Sequence, residues 1–271
     1  MEIKNVTDGL ADENLIAKGD SSMVYRGILM GTITVSVKRF FPTNKRYEDD
    51  KDFITRAEMI ANVRHKNVAR LLGYCVEGDE RFLVYEYAEK GDLREWLHGS
   101  SGRNWPLTWR KRMEIIQGVA KGLAYFHEDI EPRITHQDLR PSKVLLDYQW
   151  NPKILDVGFS SHSGTLDEKI DVHGFGTLIM ELVSGRVSVD QRSPQVFLVE
   201  WIKTMVANHM IIDILDPNLP EFPTMKELKR TVLIALRCVD PEVEERPNMG
   251  DVIHMLQPHD LLLSTSNIMS S

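Results

Sequence analysis

His136-Gln137-Asp138-Leu139-Arg140-Pro141-Ser142-Lys143, followed by Asp156-Val157-Gly158, is the stretch whose surroundings decide the fold. Ahead of it the chain opens with strands. From Asn14 to Phe40 β-branched residues are frequent, and Ile33-Thr34-Val35-Ser36-Val37-Lys38 alternates as a half-buried strand does. Phe53, Ile54, Ala57, Ile60 and Ala61 then take the spacing of a helix over Asp52–Val63 that buries one face. Two further strand-like runs, Val68–Val76 and Arg81–Tyr87, lead into the polar turn Glu89-Lys90-Gly91-Asp92.

Beyond that turn the period changes. Trp109, Met113, Ile116, Ala120, Leu123 and His127 step by three and four along a long helix. Phe175–Val183 is apolar on nearly every side, which on a helix means burial all round. Three more helical patterns lie around 197–206, 228–238 and 249–256, with Asp216-Pro217 and Asp240-Pro241 as breaks. The class is α+β, with a strand-rich lobe over 1–87, a helical lobe over 88–257 and a tail over 258–271 whose small polar residues predict disorder.

Composition narrows the function. The 271 residues are 42% hydrophobic and 27% charged, the profile of a globular protein able to bury a core without staples. A net charge of -7 repels phosphate backbones, so nucleic acid is not an expected partner. No run reaches the roughly 18 to 20 apolar residues of a membrane span, and no signal pattern opens the chain, which predicts a cytoplasmic location. Cys75 and Cys238 lack any CxxC spacing and read as two reduced, packed thiols.

Strands with one helix, a hinge and a helical half, carrying the opening stretch, resemble a two-lobed protein kinase. His136–Lys143 resembles the catalytic loop HRDLxxxN and Asp156-Val157-Gly158 resembles DFG. Arg64-His65-Lys66-Asn67, Leu71-Leu72-Gly73-Tyr74-Cys75, Leu83-Val84-Tyr85-Glu86-Tyr87 and Val252-Ile253-His254-Met255-Leu256 are similar to plant receptor-like serine/threonine kinases. The resemblance runs from about Asn14 to Leu256. Members of this family usually carry a membrane span ahead of the kinase domain, and here Met1 lies near the domain's edge.

The resemblance implies a role for each part of the site. Asp138 takes the position of the residue that accepts the hydroxyl proton, with Arg140 in place of the lysine beside it. Lys38 takes that of the strand lysine on the α and β phosphates. Gly19, Val24, Ser36, Glu86, Ala88 and Leu145 fall where the family cradles ATP, Val24 and Leu145 sandwiching adenine. Ile60, Leu71, His136 and Val157 match the apolar stack of active kinases. Asp156 takes the metal-binding position.

Departures from the pattern are as informative. Of the three loop glycines only Gly19 survives in Ala17-Lys18-Gly19-Asp20-Ser21-Ser22, and Asp20 adds a negative charge. The helix position that should hold the lysine's glutamate is Arg56, so like charges should face each other. Glu58, about 200° round the helix, should point away. Gln137 replaces the arginine that ties the loop to a phosphorylated activation segment. Lys143 replaces the metal-binding asparagine, and an ammonium has donors only. It is expected to pair with Asp156 and stand in for the second metal ion.

Asp171, which resembles the aspartate opening the buried central helix, lies only 15 steps along the chain from Asp156. An extended segment of that length spans up to about 50 Å, so the fold can close, but the Ala-Pro-Glu run and the peptide platform are missing. Arg246 should therefore lack its usual glutamate and reach solvent or find Asp171, Glu242 or another acid. Ser160, Ser161, Ser163 and Thr165 are candidate phosphorylation sites.

These expectations leave three readings open. One is a pseudokinase scaffold or regulator that binds ATP weakly or not at all, leaves Mg2+ in question, and works through protein partners such as an active receptor-like kinase, including at the plasma membrane. The second is a weakly active serine/threonine kinase moving the γ-phosphoryl group of ATP to protein hydroxyls. The third is a poorly folding product without activity of its own.

Overall fold

A computed structural model describes residues 3–19, 21–41, 50–159, 167–188 and 198–257 of the chain. The first part is an antiparallel sheet in the order β1-β2-β3-β5-β4, formed by β1 (Leu15–Lys18), β2 (Ser22–Leu29), β3 (Ile33–Phe40), β4 (Leu71–Glu77) and β5 (Glu80–Glu86). Before it lies a short helix α1 (Ile3–Val6), and between β3 and β4 the helix α2 (Asp50–Ala61). The expected start of the fourth strand at Val68 moves to Leu71, because Val68 instead bridges Ile154 across the molecule.

β3 differs from the half-buried strand its alternation predicts, since both of its faces are covered. Val35 and Val37 join Tyr25, Phe82, Val84 and Ile3 in one apolar cluster, while Phe40 belongs to the main core. The second cover is α1. Its Val6 lies so close to Gly27 of β2 that a Cβ there would sit 2.7 Å from a Val6 methyl, so this crossing requires glycine. On the opposite face α2 buries Phe53, Ala57 and Ile60, the i, i+4, i+7 stripe of an amphipathic helix.

The second part is helical: α3 (Leu93–His98), α4 (Ser100–Asn104), α5 (Trp109–Ala124), α6 (Glu168–Ser184), α7 (Leu198–Ala207), α8 (Met225–Cys238) and α9 (Met249–Leu256), with a small hairpin of β6 (Val144–Leu146) and β7 (Pro152–Ile154). Side-chain caps fix several starts. Asp92, Thr108, Asp167 and Asn248 each accept a backbone N–H, and Thr224 with Glu227 forms a reciprocal capping box. The long helix runs on past α5 as a wider turn, Tyr125–Asp129.

α6 is buried all round as its composition predicts, packing on α5, α7 and α8, and it ends at Gly185 in the left-handed conformation at φ +65°. Its carbonyl end is tied down by a buried cation. Arg112 of α5 donates to Leu107 O (3.0 Å), Leu182 O (2.7 Å) and Asp216 (2.6 Å). Both cysteines are free, Cys75 half-buried and Cys238 buried, and burial pushes the Cys238 thiol up to about 12. Among the described residues no helix is long and apolar enough to cross a membrane.

Candidate functional site

The β6–β7 hairpin explains how the sequence-distant parts meet. Val144 pairs with Ile154, and Leu155 N donates to Lys143 O at 2.8 Å, so Lys143, one residue before the hairpin, and Asp156, two residues after it, are brought together. Asp156 adopts φ +64°, a conformation uncommon outside glycine, which turns the chain at this point. Lys38, reached through the β3 register opposite Val24 and Leu83, comes from the other lobe.

Both ammonium groups donate to the same carboxylate oxygen, Asp156 Oδ2. The carboxylate is 6% exposed and the lysine side chains 7% (Lys38) and 13% (Lys143), so this is a buried triad of two cations on one anion. Burial alone would raise the Asp156 pKa; the charges of Lys38 and Lys143 outweigh it and hold the carboxyl well below the usual carboxylate range. The other oxygen, Oδ1, is buried and has no hydrogen-bond partner among the described residues.

That arrangement does not suit a magnesium ion. Mg2+ needs oxygen ligands in near-octahedral order, and here one carboxylate oxygen already accepts two ammonium groups while the second expected ligand is a lysine, which has no lone pair to give. The expected Lys143–Asp156 contact is present.

The expected clash between Lys38 and Arg56 is replaced by another arrangement. Arg56 donates from Nε to both oxygens of Asp52, one helical turn back, and from Nη1 to the carbonyl of Gly158 at 3.0 Å. Lys38 turns to Asp156 instead. A guanidinium is long and forked enough to satisfy two acceptors at once, which a sequence register cannot reveal. Glu58 is exposed and accepts from the Tyr74 hydroxyl at 3.1 Å, facing away from Lys38 as its helical angle predicts. Phe159 extends the same latch, packing on Phe53 of α2 with ring centroids 5.8 Å apart.

Asp171, in the first turn of α6, organises the catalytic loop. Its Oδ2 accepts the His136 N–H at 2.7 Å and lies 2.9 Å from His127 Nε2, and its Oδ1 accepts the Gln137 N–H at 2.5 Å. These bonds hold Gln137 at φ +61°, a conformation that costs on the order of 1–3 kcal/mol for a residue with a Cβ. His136 links loop and hairpin: Nδ1 accepts from Asp138 N (3.2 Å) and Nε2 donates to Leu155 O (2.9 Å). Burial lowers its pKa, and this bonding pattern suits the neutral ring. Asp138 remains 43% exposed, with Arg140 Nε at 3.4 Å.

The remaining candidates line the cleft in varied ways. Val24 and Leu145 are half-buried, while Ser36 and Ala88 are buried. The Glu86 side chain turns to Lys153 (2.8 Å) and the Arg70 N–H (3.2 Å). Gly19 N donates to Ser22 O at 2.9 Å across the β1–β2 turn, and a Cβ at Gly19 would meet only ordinary contact, so this turn does not itself demand glycine. Ile60, Leu71, His136 and Val157 are all buried. Asp20, Ser160, Ser161, Ser163, Thr165 and the tail from Pro258 lie outside the described residues.

Arg246 takes none of the acids considered for it. It donates to the carbonyls of Asp240 (2.9 Å) and Lys169 (3.1 Å), and the Lys169 ammonium donates back to Arg246 O. Among the described residues it forms no ion pair, because the start of α6 supplies backbone acceptors within reach.

A sheet lobe with one helix, a helical lobe and this loop constellation between them define a protein kinase domain. The pattern of the family described as protein tyrosine and serine/threonine kinase matches residues 10–168, ending where α6 begins. The chain is 78% identical, over 99% of its length, to a protein named as a receptor-like protein kinase, At2g30940, of Arabidopsis thaliana, covering 61% of that protein. It is 32% identical to the PTI1-like tyrosine-protein kinase At3g15890 of Arabidopsis thaliana, over 94% of this chain and 78% of the relative. Among solved structures it is similar to the pseudokinase domain of BIR2, an immune regulator of the RLK/Pelle family, with a TM-score of 0.78 and 27% identity over 99% of this chain and 85% of that one. The chain belongs to the protein tyrosine and serine/threonine kinase family, and several of its relatives are named as receptor-like kinases. It spans between 59% and 65% of the length of the first three curated relatives.

Asp171 holds the loop through contacts that the sequence does not disclose. It stood out as the opening of the central helix, and its chain-order position after a shortened segment was the available signal. Its grip on the two backbone N–H groups of the loop appears only in three dimensions.

Proposed function

We propose that the chain is a pseudokinase, a kinase-fold module of lobes 1–87 and 88–257 that acts as a scaffold or regulator of receptor kinases through protein contacts. The observation that carries this reading is the Lys143 ammonium on Asp156 Oδ2, at the position where phosphoryl transfer requires a metal ligand. ATP binds weakly or not at all, in a cradle of Gly19, Val24, Ser36, Lys38, Glu86, Ala88 and Leu145, and any binding is independent of Mg2+. Loss of the usual arginine at Gln137 removes the customary phosphorylation switch. The likeness to the BIR2 pseudokinase domain supports an active receptor-like kinase as the partner, with the chain cytoplasmic and recruited to the plasma membrane by that partner.

A second reading, a weakly active serine/threonine kinase, is favoured by the exposed Asp138 at the base position and by Lys38 in register. Thermal unfolding with ATP, with and without Mg2+ or Mn2+, separates the two. The pseudokinase reading predicts no metal-dependent stabilisation, and a metal-dependent rise in the midpoint supports the kinase.

A further inference from the structure

The turn between α2 and β4 meets the end of β5 and the β7 strand around a cavity of about 250 Å³. Its wall carries Arg64, Lys66, Arg70 and Lys153 against a single carboxylate, Glu86. The chain as a whole has a net charge of -7, so this concentration of positive charge stands against the general field of the protein.

The single acid is already occupied. Glu86 Oε1 accepts from Lys153 at 2.8 Å and from the Arg70 N–H at 3.2 Å. Arg64 is braced at the rim by its Nη1, which donates to Ala61 O (2.6 Å) and Val63 O (2.7 Å), leaving the rest of its fork to face outward. Among the described residues, the side chains of Lys66 and Arg70 make no hydrogen bond or ion pair, and both are exposed at the opening. His65, stacked on Tyr125, spends its Nδ1 on the Asn67 N–H.

We propose that this cavity is an oxyanion site that takes a phosphate group, held by Lys66 and Arg70 with Arg64 at the rim. Two cations without competing carboxylates give charge-assisted bonds to a doubly charged phosphate, and the planar guanidinium of Arg70 matches its oxygens two at a time. The volume admits the phosphate and a short stem, so either free phosphate or a phosphorylated serine side chain fits the chemistry. The elements around it join the two lobes: α2, which carries Arg56, runs directly into the turn bearing Arg64 and Lys66, while Lys153 belongs to the hairpin that presents Asp156.

The test is an NMR titration of the isotope-labelled chain with sodium phosphate, and separately with a short phosphoserine peptide and its unphosphorylated counterpart, all at matched ionic strength. Saturable shifts at the amides of His65, Lys66 and Arg70, weakened about tenfold or more in the Lys66→Gln/Arg70→Gln variant, are expected. Tighter binding of the phosphopeptide assigns the site to a phosphorylated partner, and tighter binding of phosphate assigns it to the free ion. Both positions are exposed, so the variant should keep the parental unfolding midpoint. No saturable shift with either probe, shifts reproduced by sodium chloride, or equal affinity in the double variant would overturn the proposal.

Discussion

The ammonium of Lys143 donates to Asp156 Oδ2, the oxygen that also accepts from Lys38, so three charges from two lobes meet at one atom. Lys143→Asn would replace one of those donors by a side chain with a carbonyl oxygen able to ligate a metal. In that variant ATP with Mg2+ should raise the thermal midpoint by about 3 °C or more over ATP alone, and the parent should show no such difference. Equal responses in both proteins would mean that Lys143 is not what excludes the metal.

Removing the anion is a harsher change. Asp156→Ala would remove the carboxylate on which the Lys38 and Lys143 ammonium groups converge, and breaking a buried pair in this way costs about 3–5 kcal/mol. Urea denaturation should register that loss. A change of under about 1 kcal/mol would show that water or another group already shields the lysines.

Asp171→Ala removes the acceptors for the His136 and Gln137 N–H groups together with the partner of His127. Stranding buried donors costs about 1–3 kcal/mol each, so the variant should lose several kcal/mol in urea and faster hydrogen exchange should appear at 136–138. Unchanged exchange there would show that the loop keeps its shape without Asp171.

The fold was legible because motif order, helical period and strand alternation agreed with one another over nearly the whole chain. The site was legible where family position and charge were enough: Lys143 stands where the resemblance puts the second metal ligand, and its charge is opposite to that of Asp156. It was illegible where long side chains choose among acceptors. Arg56 could be placed on α2 from the sequence, but not its turn toward Asp52 and Gly158; Arg246 likewise settled on carbonyls instead of an acid. α1 escaped notice because four residues are too few to show a period. Arg112 gave no sign of burial, since a cation within a helix ordinarily faces water.

Stability should depend on pH through histidines whose full or partial burial disfavours the charged ring. Burial lowers the pKa of His65 and of His136, and of His173 with further lowering by Arg246 and Lys203, so the folded chain keeps these rings neutral where the unfolded chain takes up protons at about 6.5. The unfolded state then binds more protons below that value, and stability falls as pH drops through it. Asp156 has the opposite dependence on charge: its depressed pKa contributes stability above the unfolded carboxylate value, and that is lost only as pH falls through its lower folded value, so it stays constant over this range. The urea midpoint should be lower at pH 5.5 than at pH 7.5, with a smaller difference in His136→Gln. A flat profile would contradict the assignment.

The most direct measurement is transfer of radiolabelled γ-phosphate from ATP, with Mg2+ or Mn2+, to the chain itself and to a generic protein substrate, run beside Asp138→Asn. A buried lysine–aspartate–lysine triad in place of a metal site predicts no incorporation above that of the Asp138→Asn control. Steady, metal-dependent incorporation that disappears in Asp138→Asn would contradict it.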